Sequence, residues 1–318
     1  MSSNDRNPEL LCKVQSEVMP KEREDREKMF EGEVVKTKEH IEIIHTVLDL
    51  IKKKLLDLNL IDNLFVELPI SIERIHILTK ESYAVVTADG SYDDREMGMY
   101  HPVLDQVFIK DIEDKLEVFL TVLHELIHYF SYRTDFLRVF EDESVDLREH
   151  RVGYRNLNYS KDPHEHFRGL NEMAVEWVAF GIAINDEDAI KQTLGLKSDE
   201  DKENVDDIWN EALVWNDAPL FMSILEGISK YYEEDLLDAS RRIERGLFTG
   251  EMMHLRDVEK VYGKKSLRIL SYYKSTIARE GVDTQAVNSM VEDYFVNIGM
   301  SAEDREALGE RILGIVEY

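Results

Sequence analysis

VFLTVLHELIHYF, residues 118–130, is apolar except for Thr121, His124, Glu125 and His128, with Tyr129 amphipathic. Those four recur at spacings of three and four, so on a helix they make one polar stripe along an otherwise greasy cylinder. A helix apolar nearly all round is a buried one, and burying two imidazoles and a carboxylate without partners costs several kcal/mol. The spacing suggests the partner. His124 and His128 are one turn apart and project side by side, so both can bind one tetrahedral Zn²⁺. Glu125 lies beside that position and is placed to take a proton from a water on the metal.

A second helix supplies a complementary stripe. In LNEMAVEWVAFGI, residues 170–182, the strongly polar residues are Asn171, Glu172 and Glu176. Two buried carboxylates one turn apart repel each other and need a cation or strong donors. With Glu172 as third zinc ligand its charge is neutralised, and Glu176 is then available to accept the N–H of a ligating histidine. The competing reading is two unrelated polar stripes, each satisfied by its own neighbours.

The pattern His124-Glu-Leu-Ile-His128 followed by Asn171-Glu-Met-Ala-Val-Glu176 resembles the gluzincin, thermolysin-like branch of zinc metallopeptidases. The resemblance implies one zinc per chain, held by His124, His128 and Glu172. It further implies Glu125 as general base, with Glu176 and Asn171 behind the ligands. The fold it implies is α+β: a zincin-like unit with a small mixed sheet over the active-site helix, and a helical C-terminal subdomain. The edge strand of that sheet would receive the substrate backbone, a role that fits GMYHPVLDQVFIK (98–110). Such enzymes also use a donor for the oxyanion, for which Tyr154, His164 and His166 are the candidates; Tyr231, Tyr232 and His254 are alternatives that could close the cleft. The likeness covers roughly residues 61–184, with the hairpin at 136–155 as an insertion. The stretch RDVEKVYGKKSLRILSYYK (256–274) is similar to the C-terminal helices of smaller gluzincin-like domains. A metzincin would place its third histidine where this chain has Thr134, and the aminopeptidase segment that anchors a substrate amine is missing its glutamate after Gly98.

Outside these motifs, hydrophobic periodicity from Thr37 to Leu60 (Ile41, Ile44, Val47, Leu48, Ile51, Leu55, Leu58) predicts an amphipathic helix with Lys52–Lys54 on a solvated face. IERIHIL, YAVVT and VFIK read as strands. A helix over 111–131, a hairpin from FLRVF and VDLREHRVGY, a polar loop NYSKDPHEHF and a helix over 169–184 follow. The acidic run at 185–207 reads as a junction, and helices continue to the end with breaks near Pro219, Gly246–Gly250, Gly281 and Gly299. The expected division is a polar tail or helix over 1–36, a metallopeptidase domain over 37–184 and a helical subdomain over 185–318.

Composition narrows the partners. The 318 residues carry 39 Lys+Arg against 66 Asp+Glu, a formal charge of −27. That balance argues against nucleic acid and against anionic membrane surfaces, while a peptide or protein substrate is what the resemblance implies. A single cysteine, Cys12, excludes an intrachain disulfide framework and a cysteine zinc knuckle. With no leader-like apolar segment and no apolar run of 18 residues, the expected location is cytoplasmic. Oligomeric state is open. Two alternatives to the enzyme remain: a regulatory or binding protein in which zinc is a structural staple, and a metal-free helical scaffold.

Overall fold

The structure is a computed structural model that describes residues 32–62, 68, 70–86, 97–101, 104–139, 145–158, 164–196, 218–275, 281–297 and 299–317. The described residues fall into two compact units, one within 1–51, 67–129 and 134–150, the other within 52–66, 130–133 and 151–318. The fold is mixed α+β, mostly helical, with two small sheets.

Helix α1 (Lys38–Asp57), which belongs to the first unit up to Ile51 and to the second from Lys52, is opened by Thr37, whose Oγ1 accepts the His40 N–H at 3.1 Å. Of the predicted stripe, Ile44, Val47, Ile51, Leu55 and Leu58 are buried, Leu48 is half-buried and Ile41 is exposed, and Ile43 and Leu50 join the buried face instead. The segment IERIHIL divides: Ile72–Arg74 is a 3₁₀ turn capped by Ser71, and strand β1 covers Ile75–Leu78. The described part of YAVVT, 83–86, is not a strand. It belongs to helix α2 (Lys80–Val86), because Thr79 caps that turn through its Oγ1 to the Ser82 N–H and its carbonyl to the Tyr83 N–H. A short β-branched run has no periodicity strong enough to override a good cap.

Strands β2 (Gly98–His101) and β3 (Gln106–Lys110) complete a sheet of order β1-β3-β2. β1 runs parallel to β3 and β2 antiparallel to it, with Tyr100 opposite Val107. The mixed sheet expected from the sequence is therefore present, and β2 is its edge. On the opposite side, the Val34 N–H donates to Ile77 O and the Thr79 N–H to Gly32 O, so the end of the N-terminal segment is extended rather than helical. Leu78, Tyr83, Leu104 and Phe108 form a small core between α2 and the sheet, with Met99 packed on it. Helix α3 (Lys115–Phe130) starts later than predicted because Asp114 caps it, its Oδ1 accepting the N–H groups of Leu116 and Glu117 at 2.8 and 3.1 Å.

A second sheet has the order β4-β5-β6-β7: Arg133–Val139, Val145–Val152, Arg155–Asn158 and His164–His166. The predicted hairpin is its first pair. The polar loop NYSKDPHEHF contributes to β6 and β7, which pair antiparallel from Asn156↔His166 to Asn158↔His164; residues 159–163 lie outside the described residues.

In the second unit, helix α4 (Arg168–Asn185) is anchored by its first amides. The Phe167 N–H donates to Ser271 O at 2.9 Å and the Gly169 N–H to Tyr273 O at 3.1 Å, satisfying donors that a helix start leaves orphaned. A Cβ on Gly169 would stand 2.4 Å from the Tyr273 ring, so only glycine allows this approach. Helix α5 (Glu187–Leu194) occupies the start of the predicted junction, and 197–217 lie outside the described residues.

Helices α6 (Ala218–Tyr232), α7 (Leu236–Thr249), α8 (Arg256–Tyr262), α9 (Ser266–Ser271), α10 (Thr284–Val296) and α11 (Ala302–Glu317) complete the unit. Pro219 marks the start of α6 rather than a point inside it. It sits in the first turn, where the missing N–H costs nothing. Gly246 lies inside α7, which ends at Gly250 in the left-handed region (φ 77°). The Lys52–Lys54 triplet is not merely solvated, since Lys53 pairs with Asp186 at 2.5 Å and Lys54 with Glu244 at 2.8 Å.

Candidate metal centre

Helix α3 buries Leu116, Phe119, Val122, Leu123, Leu126 and Ile127, and this packing fixes the direction in which the polar stripe points. Thr121 leaves the chemistry at once: its hydroxyl donates to Glu117 O at 2.7 Å, closing on its own helix. The two histidines do the opposite. Their Nε2 atoms face each other at 3.0 Å, with ring planes inclined at 68°. Two nitrogens bound to one tetrahedral zinc at about 2.0–2.1 Å stand about 3.3–3.4 Å apart, so the pair is close to the spacing a shared metal requires.

Glu125 is 7% exposed, and its Oε2 accepts the N–H of Tyr100 at 2.6 Å. The base expected from the sequence therefore lies directly against the edge strand expected to receive substrate. Gly98 makes this possible. A Cβ there would stand 2.5 Å from Thr121 Cγ2 and 2.7 Å from Glu125 Cγ, so any larger residue would push β2 off the helix. The end of β2 is tied down as well: Asp105, with φ 57°, pairs with Arg74 and receives the hydroxyl of Tyr129 at 3.4 Å and that of Tyr100 at 3.5 Å. The Tyr100 and Tyr129 rings meet edge to face at 5.4 Å. Sequence reasoning missed this tie. Its only local signals were Gly98 and an aspartate in a tight connection.

On α4, Glu172 and Glu176 are both partly buried, one turn apart. His124 and His128 belong to the first unit and Glu172 to the second. Two imidazole nitrogens and one carboxylate oxygen are a donor set whose chemistry would suit a zinc ion. Asn171, the neighbour of Glu172, is buried and its Oδ1 accepts the Tyr154 N–H at 2.9 Å. That oxygen would stand 2.2 Å from a Cβ on Gly153, whose φ is 54°. Asn171 thus pins the β5–β6 turn to α4.

The chain matches no protein-family model, no curated protein and no solved structure.

The remaining candidates divide by what they touch. Tyr154 is fully buried; its hydroxyl donates to Ile243 O and meets His254 Nε2, both at 2.6 Å. Burial pushes its phenol well above the ordinary value and pushes His254 down to about 4, against the opposing pull of Asp257. The Tyr154 proton is thus committed to a backbone carbonyl. Gly246 admits this pair, since a Cβ there would stand 2.1 Å from His254 Cε1 and 2.3 Å from the Tyr154 hydroxyl. His166 packs edge to face on Tyr272 at 5.6 Å, and His164 opens β7. Tyr232 donates to Asp257 at 2.6 Å, while Tyr231 is exposed. No described helix is long and apolar enough to cross a membrane.

Proposed function

We propose that this chain is a zinc-dependent peptidase of gluzincin type, with His124, His128 and Glu172 as ligands, Glu125 as general base and a peptide or protein as substrate. The observation that carries this reading is a conjunction on one helix: two Nε2 atoms converging at 3.0 Å, with a buried carboxylate between them in sequence held against a sheet edge. Zinc, when bound, supplies Lewis acidity that makes a water acidic and polarises a carbonyl. Glu125 would accept a proton from the attacking water at a carboxylate oxygen and pass it to the leaving amine. Strand β2 orients the extended substrate backbone, and the apolar body of α3 keeps bulk water away from the carboxylate. Glu176 is proposed to orient a ligand histidine, as an outer carboxylate commonly does.

The test separates metal from chemistry. Purified full-length protein should hold about one zinc per chain and cleave a peptide library, and Glu125→Gln should keep the zinc while cleavage falls by about 10²–10⁴-fold, the usual worth of a general base. Equal cleavage by Glu125→Gln would overturn the mechanism.

One observation favours a second reading. The Tyr100 N–H on Glu125 is also what a structural clamp between helix and strand would look like, with zinc as a non-catalytic staple. A structural site closes its fourth position with a protein ligand. A hydroxamate that binds and raises the Tm therefore supports the enzyme, and one that leaves the Tm unchanged supports the staple.

A further inference from the structure

A cavity of about 630 Å³ lies in the second unit, framed by the end of α8, the turn Gly263-Lys264-Lys265, Tyr294 of α10 and the first turns of α11. Its volume is in the range of small-molecule sites. Its charge is opposite to that of the chain. Among the five charged residues that line it, Lys260, Lys264, Lys265 and Arg305 face a single acid, Glu306, where a ratio of 66 acids to 39 bases would put about three acids among five.

The partners of these cations show which are available. Lys260 is held by Asp257 at 3.0 Å and by the Tyr232 hydroxyl, and Lys265 is paired with Glu310. Lys264 has no carboxylate partner among the described residues. Arg305 donates to two backbone carbonyls, Tyr294 O and Asn297 O, and no carboxylate among the described residues pairs with it. The guanidinium lies over both Tyr262 and Tyr294, 5.4 and 5.5 Å from the ring centres. Both tyrosine hydroxyls are turned to carbonyls, Tyr262 to Ser223 O and Tyr294 to Tyr262 O. The rings therefore contribute apolar surface, alongside Val261, Met300 and Ala302.

We infer that this cavity binds a small soluble phosphate ester with an apolar or aromatic body, its phosphate at Lys264 beside the charge of Arg305 and its body against Tyr262 and Tyr294. Lysine suits phosphate as a mobile point charge, and Arg305, already committed to carbonyls, adds field rather than a fork. A soluble ester is favoured over a lipid headgroup because a chain of net charge −27 is repelled by an anionic bilayer, whereas a small ion senses only charges within a screening length of about 8 Å at physiological salt. The site is independent of the proposed metal centre.

Calorimetric titration of the full chain with phenyl phosphate, and separately with inorganic phosphate, tests this in 0.15 M salt. The expected result is saturable binding of phenyl phosphate, at least about tenfold tighter than inorganic phosphate, and weakened about tenfold or more in Lys264→Glu. Lys264 is exposed, so its substitution leaves the fold intact; Ala302→Trp, which fills the cavity from the exposed start of α11, should abolish binding with an unchanged Tm. No saturable binding, unaltered binding in Lys264→Glu or Ala302→Trp, or equal affinity for the two phosphates would each overturn the inference. Pelleting with phosphatidic-acid vesicles that depends on Lys264 would overturn the soluble assignment.

Discussion

Two polar clusters, one on α3 and one around Tyr154, use the same residue types to opposite ends. On α3, His124 and His128 point their Nε2 atoms at each other across 3.0 Å. Around Tyr154 the bonds close on the fold itself: Asn171 Oδ1 takes the Tyr154 N–H, Ile243 O takes its hydroxyl proton, and the hydroxyl meets His254. The second cluster is a set of neutral hydrogen bonds that needs no ion, and burial keeps His254 uncharged at neutral pH. The first brings two imidazole nitrogens face to face, an arrangement that a shared proton or a shared cation can satisfy. A histidine in a buried helix is thus not informative by itself. The direction of its nitrogens is.

The largest effect that would sharpen this contrast is expected at the ligands. His128→Ala should weaken zinc binding by more than about 100-fold, beyond the loss typical of an outer partner, and abolish cleavage; zinc titration against a competing chelator measures it. Gly98→Ala should keep the zinc but lower kcat/KM by about tenfold or more, because the new methyl group pushes β2 from Glu125, and a 1 Å misplacement at a reacting centre is expensive. Tyr154→Phe should do the reverse. It leaves Ile243 O and His254 without their hydroxyl partner, costing about 1–3 kcal/mol in denaturant unfolding, with zinc content unchanged.

The smallest effect concerns pH. His254 has a folded value near 4, below the ordinary 6.5, so between those values the unfolded chain binds the extra proton. Stability from this group is present above pH 6.5 and is lost as pH falls through that window. His254→Gln should flatten that part of the Tm-versus-pH curve, and an unchanged slope would show that the ring is not held neutral by burial.

These contrasts were legible to different depths. Helices α1 and α4 could be read because apolar residues at 3.6-residue spacing must share a face. The β-branched run in YAVVT carried no such information over five residues, and the Thr79 cap decided it for helix. The β6–β7 pair was hidden in a polar loop, since pairing across a sheet depends on partners elsewhere in the chain. Gly246 looked like a break, yet it is a point of close packing against Tyr154 and His254. At the candidate site, the residue types and spacing of His124, Glu125 and His128 were visible. The Tyr100 amide on Glu125 was not, because it joins residues 25 apart through a backbone group that has no sequence signature.

The account depends most on one small cation being shared by the α3 histidines and Glu172. Zinc X-ray absorption on the full-length protein, alongside metal content by mass spectrometry, examines this directly. The prediction is about one zinc per chain with two imidazole nitrogens and a carboxylate oxygen in its shell, the histidine signature disappearing in His128→Ala. A zinc-equilibrated protein that holds no metal, or whose metal spectrum is the same after His128→Ala, would contradict it.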